Sequence, residues 1–91
     1  MTIPMPVMLD ATSADTVRRS FVAGLDAGAK GIRLDLSATS DLDAIGLALL
    51  AAIPAQVRSG GPRVELWGAS TKMQAVLQAT GVDQLYAAGG Q

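Results

Sequence analysis

The 91-residue sequence contains neither cysteine nor histidine. The first absence removes disulfides, thiolate nucleophiles and thiolate metal sites together. The second leaves any acid–base chemistry near neutral pH to a perturbed carboxylate or lysine. Aromatic residues are reduced to one Phe, one Tyr and one Trp, so the core must be built from aliphatic side chains. An excess of one charge is lacking too, because seven basic residues stand against eight acidic ones. That balance gives neither the electrostatic footprint of a nucleic-acid-binding protein nor a polybasic patch for anionic lipid. The longest uncharged apolar run, Ala44 to Ala55, spans 12 residues, short of the ~20 needed to cross a bilayer as a helix. The opening MTIPMPVMLD has neither the basic nor the long apolar region of a signal peptide. A cytoplasmic protein without direct membrane insertion is therefore expected.

What is present suits one small domain spanning residues 1–91, with a core over about 7–86 and an irregular tail at 87–91. A chain of this length buries only about 60–65% of its unfolded surface, and a hydrophobic content of 49% is matched to that demand. Ile3 to Leu9 is apolar but interrupted by Pro4 and Pro6, which restricts it to an edge strand or a frayed arm. Asp10-Ala11-Thr12-Ser13 is rich in helix-capping residues, with Asp15 expected in the first turn. Val17, Phe21 and Leu25, with Val22 beside them, then mark an amphipathic helix ending near Gly28 or Gly31. Gly31 to Ser37 alternates as a half-buried strand, and Ala38 to Leu42 reads as a polar connection.

From Asp43 to about Ser59 the Ala- and Leu-rich pattern predicts a second helix, kinked where Pro54 removes a donor opposite the Leu50 carbonyl. Arg63 to Trp67 alternates again and ends at Gly68. Ser70 caps a third helix carrying Met73, Val76, Leu77 and Thr80 on one face and closed by Gly81. Val82, Leu85 and Tyr86 supply apolar contacts beyond it. Such alternation predicts an α/β fold: a mixed, largely parallel sheet of about four strands with helices packed against it.

Four motifs in this order carry a family resemblance: Asp35-Leu36-Ser37, Asp43-Ala44-Ile45-Gly46-Leu47, Gly60-Gly61, and Thr80-Gly81-Val82 followed by Leu85-Tyr86. Together, over roughly Gly31 to Tyr86, the chain resembles a STAS domain, the fold of anti-sigma-factor antagonists. The resemblance implies a non-catalytic regulatory module of a bacterial signalling system, with no cofactor. Two departures stand out. The family's first strand is absent or truncated, since only eight residues precede Leu9. Ile45 occupies the position of the family's phosphorylated serine, with Ala44 before it, so neither side chain can carry a phosphate.

The same resemblance places partner binding on Ser40, Asp41, Asp43, Ala44, Ile45 and Leu49. Asp43 is also an expected N-cap, and Ser37, Thr39 and Ser40 are expected to serve the turn through local side-chain to backbone bonds. Ser40 remains open as a displaced phosphorylation site. The second helix is apolar nearly all round: Gly46, Leu50, Ile53 and Val57 form the stripe assigned to the core. Ile45, Leu49 and Ala52 form a second stripe, part of which should face outward to a partner. The implied partner is a kinase-like or anti-sigma protein or a chemotaxis component. An ATPase of an ABC-type lipid transport system is an alternative, and a homodimer through the apolar helix competes with both. Asp41-Leu42-Asp43 matches the opening of a calcium loop, but the acidic ligand needed eleven residues after Asp41 is Ala52. A phosphoacceptor or phosphatase-like site at Asp35, with Asp10 and Lys72, is the remaining enzyme reading.

Overall fold

The two alternating segments become adjacent, parallel strands of a sheet. A computed structural model describes residues 1–57 and 60–86; the expected irregular tail and the expected end of the second helix at Ser59 lie outside those residues. β1 (Thr2–Pro4), β2 (Met8–Leu9), α1 (Ala11–Asp26), β3 (Gly31–Asp35), β4 (Asp41–Leu42), α2 (Ala44–Ala52), β5 (Arg63–Trp67) and α3 (Thr71–Thr80) follow in order. Short 3₁₀ turns at Ile53–Gln56 and Val82–Leu85 follow α2 and α3. The strands divide into a three-stranded sheet ordered β1-β3-β5 and a two-stranded ribbon of β2 and β4, each pairing parallel. The ribbon is where the structure departs from a single sheet of about four strands. Its β4 lies inside the segment read as a connection, and two-residue strands leave too little pattern to read.

β1 confirms the edge reading. Met5 N–H donates to Asp35 O and Arg33 N–H donates to Met1 O, so the backbone groups of Thr2 and Pro4 point away from β3. Pro4 thus sits where its missing N–H interrupts no ladder bond. Ile3, Ile32, Leu34 and Val64 are buried on the inner face. They join Leu9, Val17, Phe21, Leu36, Leu50, Ile53, Leu77, Val82 and Tyr86 in one core. Thr2, Arg33, Arg63 and Trp67 on the other face are exposed.

α1 starts with a reciprocal cap. The Asp10 carboxylate accepts from Thr12 and Ser13 N–H at 2.9 and 3.2 Å, and Asp10 N–H donates to Ser13 Oγ at 3.1 Å. With the cap at Asp10, Asp15 falls beyond the first turn; it pairs instead with Arg18 and Arg19 on the exposed face. Leu85 is likewise exposed rather than a contact, as is Thr80, whose hydroxyl donates to the Val76 carbonyl. Gly81 closes α3 in the left-handed region, at φ 77°.

The helix expected to kink at Pro54 ends instead. α2 stops at Ala52, and Pro54 lies in the first turn of the following 3₁₀ turn, where a missing N–H is tolerated. The Leu50 carbonyl, which a continuing helix would have bonded to residue 54, accepts instead from the Tyr86 hydroxyl. Burial pushes the Tyr86 phenol well above its ordinary pKa, so it stays a donor throughout the working pH range. This bond ties the end of the described chain to the end of α2.

Two substitutions test these contacts by chemical denaturation. Tyr86→Phe leaves a buried carbonyl unpaired and is expected to lower stability by about 2 kcal/mol; an unchanged midpoint would show that the bond is dispensable. At Gly46, a Cβ would overlap the Leu9 carbonyl oxygen and carbon. Gly46→Ala is therefore expected to cost about 3 kcal/mol, because backbone rather than a flexible side chain must move.

Candidate functional site

The amino end of α2 is built on the β2–β4 ribbon. Met8 lies beside Asp41 and Leu9 beside Leu42. Asp43 N–H donates to Leu9 O at 3.1 Å, and Gly46 brings the first turn of the helix down onto that same carbonyl. Asp43 is the N-cap, its carboxylate accepting from Gly46 N–H at 2.9 Å. Asp41 accepts from Leu42 N–H at 2.9 Å. Both carboxylates are thus engaged by local backbone, which leaves the calcium-loop opening without the geometry of a cage. Among the described residues, no group of three or more His, Cys, Asp or Glu is placed to hold a metal ion.

The loop before α2 is tied to the amino-terminal arm rather than to itself. Thr39, only 3% exposed, donates its hydroxyl to Pro6 O at 2.7 Å. Ser40 donates both its N–H and its hydroxyl to Val7 O, at 2.9 and 3.3 Å, and Asp41 N–H reaches the same oxygen at 3.4 Å. Thr39 and Ser40 therefore depart from the expected local turn bonds: their acceptors lie 33 residues away in sequence. Ser37 alone serves its neighbourhood, its N–H donating to the Asp35 carboxylate at 2.9 Å.

These bonds bring the expected residues onto one surface and add two more. Ser40, Asp41, Asp43, Ala44 and Ile45 are all exposed, and the Ile45 side chain is 52% exposed in the first turn of α2. Leu49 is half-buried and packs partly against the core, so it borders the surface rather than forming it. The expected division of the helix holds: Gly46, Leu50 and Ile53 are buried with Val57 half-buried, while Ile45 and Ala52 face outward. The residues that sequence reasoning missed are Val7 and Met8, 61% and 43% exposed. They belong to the arm that carries Ser40 and Asp41. Their signal was an apolar run between prolines, which reads equally as a buried strand.

Asp35 stands apart, at the carboxyl end of β3. Ser37, through its hydroxyl and its N–H, holds the Asp35 carboxyl below the ordinary carboxylate range, with a smaller contribution from Arg33. An anion stabilised in this way is a turn acceptor. No lysine or second acidic group appears in its hydrogen bonds among the described residues.

The α/β scaffold thus presents a capped helix start and exposed apolar side chains at the amino end of α2. The family model described as Mlab, STAS domain matches residues 8–87. The chain belongs to the STAS domain family. The match begins at Met8, the first residue of the ribbon strand β2, and β1 (Thr2–Pro4) lies before it. No curated protein matches the chain.

The Asp35 geometry has a pH consequence. Its carboxyl is depressed in the folded protein, so its contribution to stability is present above the unfolded-state pKa and is lost as pH falls through the lower folded value. Ser37→Ala is expected to move the Asp35 carboxyl resonance, followed by NMR titration, upward toward the ordinary value of 3.8. An unmoved titration would show that the hydroxyl contributes nothing.

Proposed function

We propose that this chain is a non-catalytic docking module of a cytoplasmic bacterial regulatory system, seating the amino end of α2 on a kinase-like partner of the anti-sigma type. The observation that carries the reading is Ile45, an exposed isoleucine in the first turn of α2. Isolated exposed hydrophobics are ordinary on a protein surface; support for the reading is that Ile45 lies in the first turn after the Asp43 cap, while Val7 and Met8 lie on the arm that the preceding loop bonds. Asp41 and Asp43 rim this patch with negative charge, which favours an apolar socket bordered by Lys or Arg.

Contact through Ile45 needs no covalent switch. Neither Ala44 nor Ile45 offers a hydroxyl, and the hydroxyl of Ser40 is engaged with Val7 O. Docking is therefore constitutive on this reading, its strength set by partner concentration. A second reading, an accessory subunit on the ATPase of an ABC-type lipid transport system, is favoured by the description of the matching family, which names Mlab and not an anti-sigma-factor antagonist. Both readings use the same surface. The enzyme reading at Asp35 has no such support.

Calorimetric titration against a purified anti-sigma kinase and a purified ABC ATPase from the same operon context distinguishes the two partners. Ile45→Asp is expected to weaken binding to the true partner at least about 100-fold, as loss of a buried apolar anchor does, while leaving the circular dichroism spectrum unchanged. A folded variant with undiminished affinity would place docking elsewhere. Incubation with the kinase and labelled ATP is expected to leave the chain unlabelled; label on Ser40 would overturn the constitutive mode.

A further inference from the structure

The two free edges of the three-stranded sheet are built differently. At the β1 edge only Thr2 and Pro4 point outward, and Pro4 has no N–H to offer. That is a blunted edge. At the other edge, Arg63 N–H donates to Lys30 O and Leu36 N–H donates to Trp67 O. The parallel ladder therefore uses Arg63, Glu65 and Trp67 toward β3 and leaves the N–H and C=O of Val64 and Leu66 pointing outward. Among the described residues no backbone partner for these groups appears. β5 spans five residues and contains no proline. Among the devices that discourage edge pairing it carries only the charges of Arg63 and Glu65, which pair with each other within the strand.

We propose that the β5 edge is a homodimer interface, in which a second copy of the chain pairs antiparallel along Arg63–Trp67 about a two-fold axis at Glu65. The occupant is argued from the self-complementarity of this one strand. In the register centred on Glu65, Val64 and Leu66 of each copy exchange N–H···O=C bonds with Leu66 and Val64 of the other, which satisfies every outward group on both strands. The inner face sets valine beside leucine across the seam, continuing the core side of the sheet. On the outer face, Arg63 of one copy lies opposite Trp67 of the other.

That cross-strand pair is the specific feature. Trp67 is 51% exposed and already carries the Arg33 guanidinium 4.4 Å from its ring centroid. Its second face is available for the Arg63 guanidinium of the second copy, so that two cations would enclose one indole. The two Glu65 carboxylates meet at the axis, an arrangement that alone would repel. Each is flanked in its own chain by Arg63 Nε at 3.4 Å and Arg33 Nε at 3.9 Å, so the axis carries net positive rather than net negative charge. The interface is isologous and closed, as a two-fold dimer requires. A contact made by one five-residue strand is small, so the dimer is expected to be weak and concentration-dependent. It uses a different element from the α2 docking surface and does not rest on that reading.

Sedimentation velocity of the full chain over a concentration range of about a hundredfold tests the proposal. The expected result is a mass rising from 9.3 kDa toward twice that value. Trp67→Lys and Arg63→Glu, both at exposed side chains, are each expected to weaken the dimer about tenfold or more, as loss of a well-placed interfacial Trp or Arg does. The doubly substituted chain, in which each copy sets a carboxylate opposite an ammonium, is expected to recover much of the loss, because only the antiparallel register brings positions 63 and 67 together. Circular dichroism confirms that each variant remains folded.

A chain that stays monomeric over the whole range overturns the proposal. So does a dimer that survives Trp67→Lys but is lost with Ile45→Asp, which would place the contact on α2. Dimerisation that appears only after removal of residues 87–91 would assign the edge to the chain's own tail and equally overturn it. Failure of the double substitution to rescue would overturn the register.

Discussion

The arrangement of this domain turns on the carbonyl of Leu9. It is the last residue of a two-residue strand, is fully buried, and its oxygen accepts from Asp43 at the start of α2. Gly46 packs so closely over it that no other residue fits without moving the backbone. That single approach fixes the height and tilt at which α2 begins, and with them the placement of Ala44 and Ile45 on the surface. Two bonds from Thr39 and Ser40 to Pro6 and Val7 secure the loop from the other side. The amino end of α2 is therefore held by hydroxyl-to-backbone bonds that reach 33 residues across the sequence and by the Asp43 cap, while the exposed side chains of Ala44 and Ile45 make no hydrogen bond.

The opposite end of α2 is secured by a different device. Pro54 would have broken a longer helix; the chain ends the helix before it and fills the vacated acceptor on Leu50 with a hydroxyl from Tyr86. An apolar helix of nine residues has few side-chain hydrogen bonds to define it. Its position is instead specified at both termini, by an aspartate cap at one and a tyrosine at the other. Between them lies a helix whose buried stripe of Gly46, Leu50 and Ile53 is narrow enough to leave Ile45 outside.

Much of this was legible in the sequence, for identifiable reasons. The alternation in Gly31–Asp35 and Arg63–Trp67, the caps at Asp43 and Ser70 and the stop at Gly81 are local signals. Each element formed where its own residues required it. What could not be read depended on distant partners. β4 is two residues long and exists only because Met8 and Leu9 lie alongside it. The end of α2 at Ala52 reflects a proline together with an acceptor satisfied 36 residues later. Val7 and Met8 are apolar in a run that also holds Ile3 and Met5, which are buried. Their composition is alike, and only the turn of the arm past Pro6 separates them. Leu85 was misplaced for the same reason, since a 3₁₀ turn reverses the face that a helix would have presented.

The exposed isoleucine acquires its meaning from the energetics of so small a chain. Burying one large aliphatic side chain contributes about 1.5–3 kcal/mol, and a domain of this size has a total margin of only about 5–15 kcal/mol. Ile45, Val7 and Met8, each about half exposed, together forgo about 2–5 kcal/mol of burial, a substantial part of that margin. A hydroxyl at position 45 would be indifferent to exposure in the free state and would respond to phosphate addition by repulsion or attraction at the partner. An isoleucine gains only when water is removed from it, which happens only in a complex. On the docking reading, an isoleucine at this position makes association depend on apolar burial and on the amount of partner present. On the same reading Asp41 and Asp43 would supply orientation and partner choice, since rim charges govern the rate and specificity of encounter more than its final affinity. The regulatory variable, on the docking reading proposed above, is concentration, and Asp41 and Asp43 set fixed carboxylates beside the helix start.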